Sequence, residues 1–112
     1  MVEVLLSSAL ICFQGSCHHA LVGKETPRGE YVLLFKKTPL PGYGGDVIVY
    51  KEDAHLWAIH RTWTLKPQQR REERLKSDRV EDRFITAGCI NVSPTVYLQL
   101  VECCLGQKLV IK

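Results

Sequence analysis

No apolar stretch of this sequence is long enough to cross a bilayer. The longest near the N-terminus, Val4–Phe13, spans ten residues and has Ser7 and Ser8 inside it, against the roughly 18 that a membrane helix needs. Metal-binding cysteine patterns are missing as well. None of Cys12, Cys17, Cys89, Cys103 and Cys104 forms a C-x-x-C pair or stands at finger-like spacing from a histidine, which argues against a structural zinc site. There is no stripe of one charge sign. The net charge is +3, and the one basic cluster (Arg70, Arg71, Arg74, Lys76, Arg79, Arg83) is interleaved with Glu72, Glu73, Asp78, Glu81 and Asp82. That mixture predicts a solvated helical face carrying (i, i+3) and (i, i+4) pairs and argues against a nucleic-acid partner. Met1-Val2-Glu3 supplies no positively charged leader start, and no small-x-small cleavage site follows. On sequence grounds the chain is either cytoplasmic or numbered from behind a removed leader.

What is present fits one folded unit. A chain of 112 residues with 46% apolar and 24% charged residues is the size of a single domain, spanning 1–112, that buries roughly two thirds of its unfolded surface. Ala9–Phe13 and Cys17–Val22 flank turn chemistry at Gln14-Gly15-Ser16 and predict a β-hairpin. A two-residue loop there would set Cys12 opposite Cys17, within disulfide reach. Gln is a poor first residue for such turns, which favours two reduced thiols. Glu30–Lys36, Val47–Tyr50, Leu56–His60, Ile85–Val92 and Leu109–Ile111 read as further strands. Pro39–Asp46, with two prolines and three glycines, reads as an exposed loop. Pro67 opens a polar helix of about ten residues. Ser93-Pro94 caps a second over Pro94–Leu105, with Val96, Tyr97, Leu100, Val101 and Cys104 on one face. Cys103 and Cys104 then diverge by about 100°. The expected class is mainly β with two helices, without the strand–helix alternation of a parallel sheet.

Two residues stand apart from this pattern. Cys89 follows Thr86-Ala87-Gly88, where a glycine lets backbone approach a ligand and leaves N–H groups free for an oxyanion. His60 ends an otherwise apolar run, Leu56–Ile59. A thiol near an imidazole can become a thiolate nucleophile, whereas a lone strand cysteine is more often a small buried hydrophobe. His18 and His19 point to opposite faces of their strand and form no metal site. His55 falls in a turn.

The stretch Gly23-Lys24-Glu25-Thr26-Pro27-Arg28-Gly29-Glu30-Tyr31, then Ile59-His60, then Ile85-Thr86-Ala87-Gly88-Cys89-Ile90-Asn91-Val92 resembles the catalytic domain of the L,D-transpeptidases, bacterial cell-wall enzymes. The Thr-Pro-x-Gly loop, the histidine and the cysteine box occur in the family's order, and the likeness runs from about Ala9 to the C-terminus. The resemblance implies a β-sandwich-like or barrel-like fold and a periplasmic or envelope location. It also implies acyl transfer on peptidoglycan stem peptides, donor and acceptor, without a cofactor or metal. On that template Cys89 is the nucleophile and His60 the general base. Gly88 belongs to the oxyanion hole, the Arg61 carbonyl orients the imidazole, and Tyr43 sits on a lid or near the oxyanion. Thr86, Asn91 and Trp63 are the expected substrate contacts, although core packing competes as the use of Trp57 and Trp63. A monomer is expected.

Three departures qualify the likeness. Ala87 stands where many members carry histidine, Arg61 where Gly or Ser is common, and the interval from His60 to Cys89 is longer than in most. That insertion could wall the cleft and bring Arg61, Arg70 or Arg71 to substrate carboxylates. A hydrolase on the same fold and a non-catalytic wall-binding domain are the competing functions.

Overall fold

In the computed structural model, which describes residues 1–112, alternation of apolar and polar side chains sets most of the strands. In β1 (Val2–Leu5) and β2 (Leu10–Phe13), Val2, Val4, Ile11 and Phe13 face inward. The two strands pair antiparallel around a 3-10 turn, Leu6–Ser8. β2 and β3 (Ser16–His19) form the expected hairpin, whose loop residues Gln14 and Gly15 both take positive φ, 50° and 78°. Gln14 thus adopts the left-handed geometry that a primed turn requires. That sets Cys12 directly opposite Cys17 with Cα atoms 4.0 Å apart, and the two are joined in a disulfide rather than reduced.

The last strand, β9 (Lys108–Ile111), runs parallel to β1 and antiparallel to β4 (Gly29–Val32). It completes a five-stranded sheet of order β3-β2-β1-β9-β4. The expected single strand Glu30–Lys36 is two strands. Buried Leu33 exchanges backbone hydrogen bonds with Gln107 and Gly106, and β5 (Leu34–Lys37) departs into a second sheet. There it pairs with β6 (Asp46–Glu52), followed by β7 (Leu56–Arg61) and β8 (Ile90–Val92), with β7 and β8 parallel. Both sheets are therefore mixed and open, a sandwich-like arrangement and not a closed barrel.

Helix α2 (Pro94–Cys103) is started by the Ser93 hydroxyl, which accepts the Val96 N–H at 3.1 Å. It buries Val96, Tyr97 and Leu100 in the 20-residue core with Val2, Ile11 and Ile59. Cys104 leaves helical geometry at φ −132°, ψ 5°, so the divergence expected of helical neighbours does not apply, and Cys103 and Cys104 are disulfide-bonded. The polar insertion is also more broken than expected. A 3-10 turn, Pro67–Gln69, is followed by Arg70 at φ 53° and a six-residue helix α1 (Arg71–Lys76). Arg83 is buried rather than solvated. Its guanidinium donates to the carbonyls of Ser8 at 2.7 Å, Ala9 at 3.3 Å and Ser77.

Candidate active site

The parallel pairing of β7 with β8 sets His60 opposite Asn91, with Cys89 just before β8. The turn leading into Cys89 is closed by Thr86, whose hydroxyl accepts the Gly88 N–H at 3.1 Å and donates to the Cys89 carbonyl at 2.7 Å. Gly88 has φ +144°, and a Cβ there would lie 2.3 Å from the Trp57 ring, so only glycine fits. The Thr-Pro-x-Gly loop braces this turn from outside. Thr26 donates its hydroxyl to the Gly88 carbonyl at 2.9 Å and accepts the Gly23 N–H at 2.9 Å. Gly23 packs so closely that a Cβ would sit 2.0 Å from the Thr86 carbonyl oxygen.

Cys89 is the chain's one free cysteine and is partly buried; its Sγ points toward the Leu56 carbonyl at 3.8 Å. Burial pushes its pKa up, against smaller opposing pulls from the Ala58 N–H and the positive charge of Arg71. His60 is 3% exposed. Its Nδ1 donates to the Arg61 carbonyl at 2.7 Å, which leaves the lone pair on Nε2. The side chain of Asn91 is fixed by its other end, because Oδ1 accepts from the Trp63 N–H at 3.2 Å and from Arg71 Nη1 at 3.0 Å. Its Nδ2 therefore donates to His60 Nε2, at 3.3 Å. Burial, aided by Arg71, lowers the His60 pKa to about 4, although the Arg61 carbonyl favours the charged form. At neutral pH Cys89 rests as a thiol and His60 as a neutral imidazole.

Cys89 and His60 both open onto a cavity of about 640 Å³, walled by Tyr43, Trp57, Trp63 and Arg71. The Tyr43 ring meets His60 edge-on at 4.7 Å and Trp63 at 5.0 Å. Its loop is held by Arg61, whose Nη1 contacts Asp46 Oδ1 at 3.1 Å and donates to the carbonyls of Tyr43 at 3.1 Å and Gly44 at 3.3 Å. The same guanidinium lies 4.2 Å over the Tyr97 ring, and the Tyr97 hydroxyl donates to Asp46 at 2.6 Å.

Several sequence-derived assignments move. Asn91 is fully buried and supports His60 from beneath. Gly88 gives its N–H to Thr86, which leaves the Cys89 N–H as the backbone donor beside the thiol. Thr86 lines the cavity with both hydroxyl bonds spent on the turn. Trp63 and Tyr43 do line it, and so does Arg71, one of the three arginines considered for the cleft wall. Arg61 and Arg70 are committed to Asp46 and Glu73. His19 donates to the Leu75 carbonyl at 2.8 Å, and no three His, Cys, Asp or Glu side chains converge. No helix is long and apolar enough to cross a membrane.

No family model and no curated protein matches this sequence. Solved structures do. An L,D-transpeptidase from Mycobacterium smegmatis superposes with a TM-score of 0.53 at 17% identity, covering 99% of this chain and 57% of that one. An L,D-transpeptidase from Stackebrandtia nassauensis gives 0.58 at 16% identity, covering 99% and 54%. The chain thus spans a little over half the length of either. At this identity the likeness concerns the arrangement of the backbone, and with that arrangement two open mixed sheets carry the cysteine turn against the histidine strand. The chain has an L,D-transpeptidase-like fold.

Proposed function

We propose that the chain is a cysteine acyltransferase of the L,D-transpeptidase kind, acting on peptidoglycan stem peptides in the cell envelope. The observation that carries this reading is the convergence of the one free thiol, Cys89, and a tautomer-fixed imidazole, His60, on a single cavity. The fold neighbours and the ordered motifs supply the substrate class.

In the proposed reaction Cys89 Sγ attacks the carbonyl of the amide before the terminal D-alanine while its proton passes to His60 Nε2, displacing the Asn91 Nδ2–H that this lone pair accepts at rest. The Cys89 N–H is the backbone donor to the oxyanion. The carbon–nitrogen bond breaks, the proton moves from Nε2 to the leaving amine, and D-alanine departs from a thioester. An amine of a second stem then attacks, the carbon–sulfur bond breaks, and the proton lost by that amine returns through His60 to sulfur. With both partners neutral at rest, attack and proton transfer occur together.

The test is product analysis after incubation with a purified tetrapeptide stem fragment. Cross-linked dimer with free D-alanine, absent with Cys89→Ala, supports transfer. Tripeptide alone would reassign the chain as a hydrolase, and no turnover by folded protein across pH 6–9 would leave a wall-binding domain.

A further inference from the structure

Arg71 has a charge with no anion to meet it. The protein forms seven ion pairs, and neither Arg71 nor its neighbour Lys66 takes part in any of them. Its Nε donates to Gln69 Oε1 at 2.8 Å and its Nη1 to Asn91 Oδ1 at 3.0 Å. Both acceptors are neutral amides, and the Nη2 donors have no acceptor within the chain. Glu25, Glu72 and Glu73 border the surrounding cavities, yet none lies within 4.0 Å of the guanidinium, and Glu73 is paired with Arg70. The side chain is partly buried. A guanidinium taken partly out of water and held by neutral acceptors gains most from a carboxylate, which its planar fork accepts through two parallel bonds.

Its position is as informative as its charge. Arg71, Lys66 and Trp63 line both the 640 Å³ cavity that holds Cys89 and an adjoining one of about 370 Å³. They stand where the two meet. Through Asn91, Arg71 is also one side chain removed from His60. The insertion between His60 and Cys89, which sets this chain apart from the family's spacing, is what brings it there.

We propose that Arg71, seconded by Lys66, is the receptor for a substrate carboxylate next to the amide that Cys89 attacks, and so sets which peptides the site accepts. The inference rests on the proposed acyl transfer for its location but on ionic recognition for its content. Two carboxylates of a stem peptide share the required chemistry: that of the leaving D-alanine, and that at the D-centre of the diamino acid.

The experiment has two readouts. In the first, three donors are compared by kcat/KM: the free peptide, one amidated at the terminal carboxylate, and one amidated at the diamino-acid carboxylate. Loss of a charge-assisted pair predicts that one amidation slows the wild type roughly 10- to 100-fold. The same amidation leaves Arg71→Gln little affected, and Arg71→Lys falls between. Which amidation matters identifies the carboxylate. Equal penalties in wild type and Arg71→Gln, or none in either, would overturn the proposal. In the second, the same peptides are titrated by NMR onto Cys89→Ala protein, where no turnover is needed. Preference for one carboxylate there, lost in the Cys89→Ala, Arg71→Gln double variant, supports the receptor even if the acyl-transfer reading fails. Indifference to both amidations in that titration would sink the receptor even if acyl transfer holds.

Discussion

His60 couples the site's chemistry to stability. Its imidazole is neutral in the folded protein down to about pH 4, whereas in the unfolded chain it takes up a proton near 6.5. Between those values the unfolded state binds the additional proton, so the His60 contribution is fully present above 6.5 and is lost as pH falls toward 4. The loss amounts to up to about 3 kcal/mol. Urea unfolding from pH 7 to 4 should show that slope in the wild type and a shallower one in His60→Gln, and equal slopes would refute the buried neutral imidazole. Cys89 and His60 themselves were legible in the sequence because a thiol after a glycine and a histidine ending an apolar run are both chemically marked. The place of Asn91 was not legible, for a physical reason. That it lies beneath His60 follows only from the parallel register of β7 and β8, which no local pattern encodes.

At the scale of elements, the loop carrying Tyr43 and the insertion carrying Arg71 decide how enclosed the site is. The Arg61 side chain ties the first of these to β7 and α2 through Asp46, Tyr97 and two loop carbonyls. Arg61→Met keeps the main-chain carbonyl that holds His60 Nδ1 and removes only the tie. The expected result is faster proteolytic cutting within 38–45, a His60 pKa that rises toward 6.5 as Tyr43 lifts away, and roughly a tenfold lower acylation rate. Unchanged proteolysis and an unchanged His60 titration would mean that the loop is held elsewhere. The insertion was only half legible. Pro67 marked its start, but Arg70 in a left-handed conformation divides it into a 3-10 turn and a short helix, and that division is what turns Arg71 inward. The hairpin was legible and put Cys12 within reach of Cys17, but the sequence favoured reduced thiols because Gln14 occupies a conformation usually left to Asn or Gly.

Over the whole molecule, the β content and α2 with its Ser93 cap could be read from pattern. The two parallel pairs, β1 with β9 and β7 with β8, could not, since they join segments distant in sequence. Arg83 links such distant parts as well, tying the carbonyls of Ser8 and Ala9 to that of Ser77 across the body of the domain. Arg83→Met takes the donor away from the Ser8 and Ser77 carbonyls, while the Ala9 carbonyl keeps the Ala20 N–H at 3.0 Å. It should destabilise the protein by about 2–4 kcal/mol in urea unfolding while activity per folded molecule stays near wild type. A stability loss below about 0.5 kcal/mol would show that Arg83 is only a surface charge in effect. Whether this fold presents Cys89 and His60 for acyl transfer, as proposed, is decided by intact-mass spectrometry after exposure to a tetrapeptide stem fragment. The expected result is an adduct equal to the fragment minus D-alanine, absent in Cys89→Ala and strongly slowed in His60→Ala. Folded wild-type protein that stays at its unmodified mass, or an adduct that survives Cys89→Ala, would contradict it.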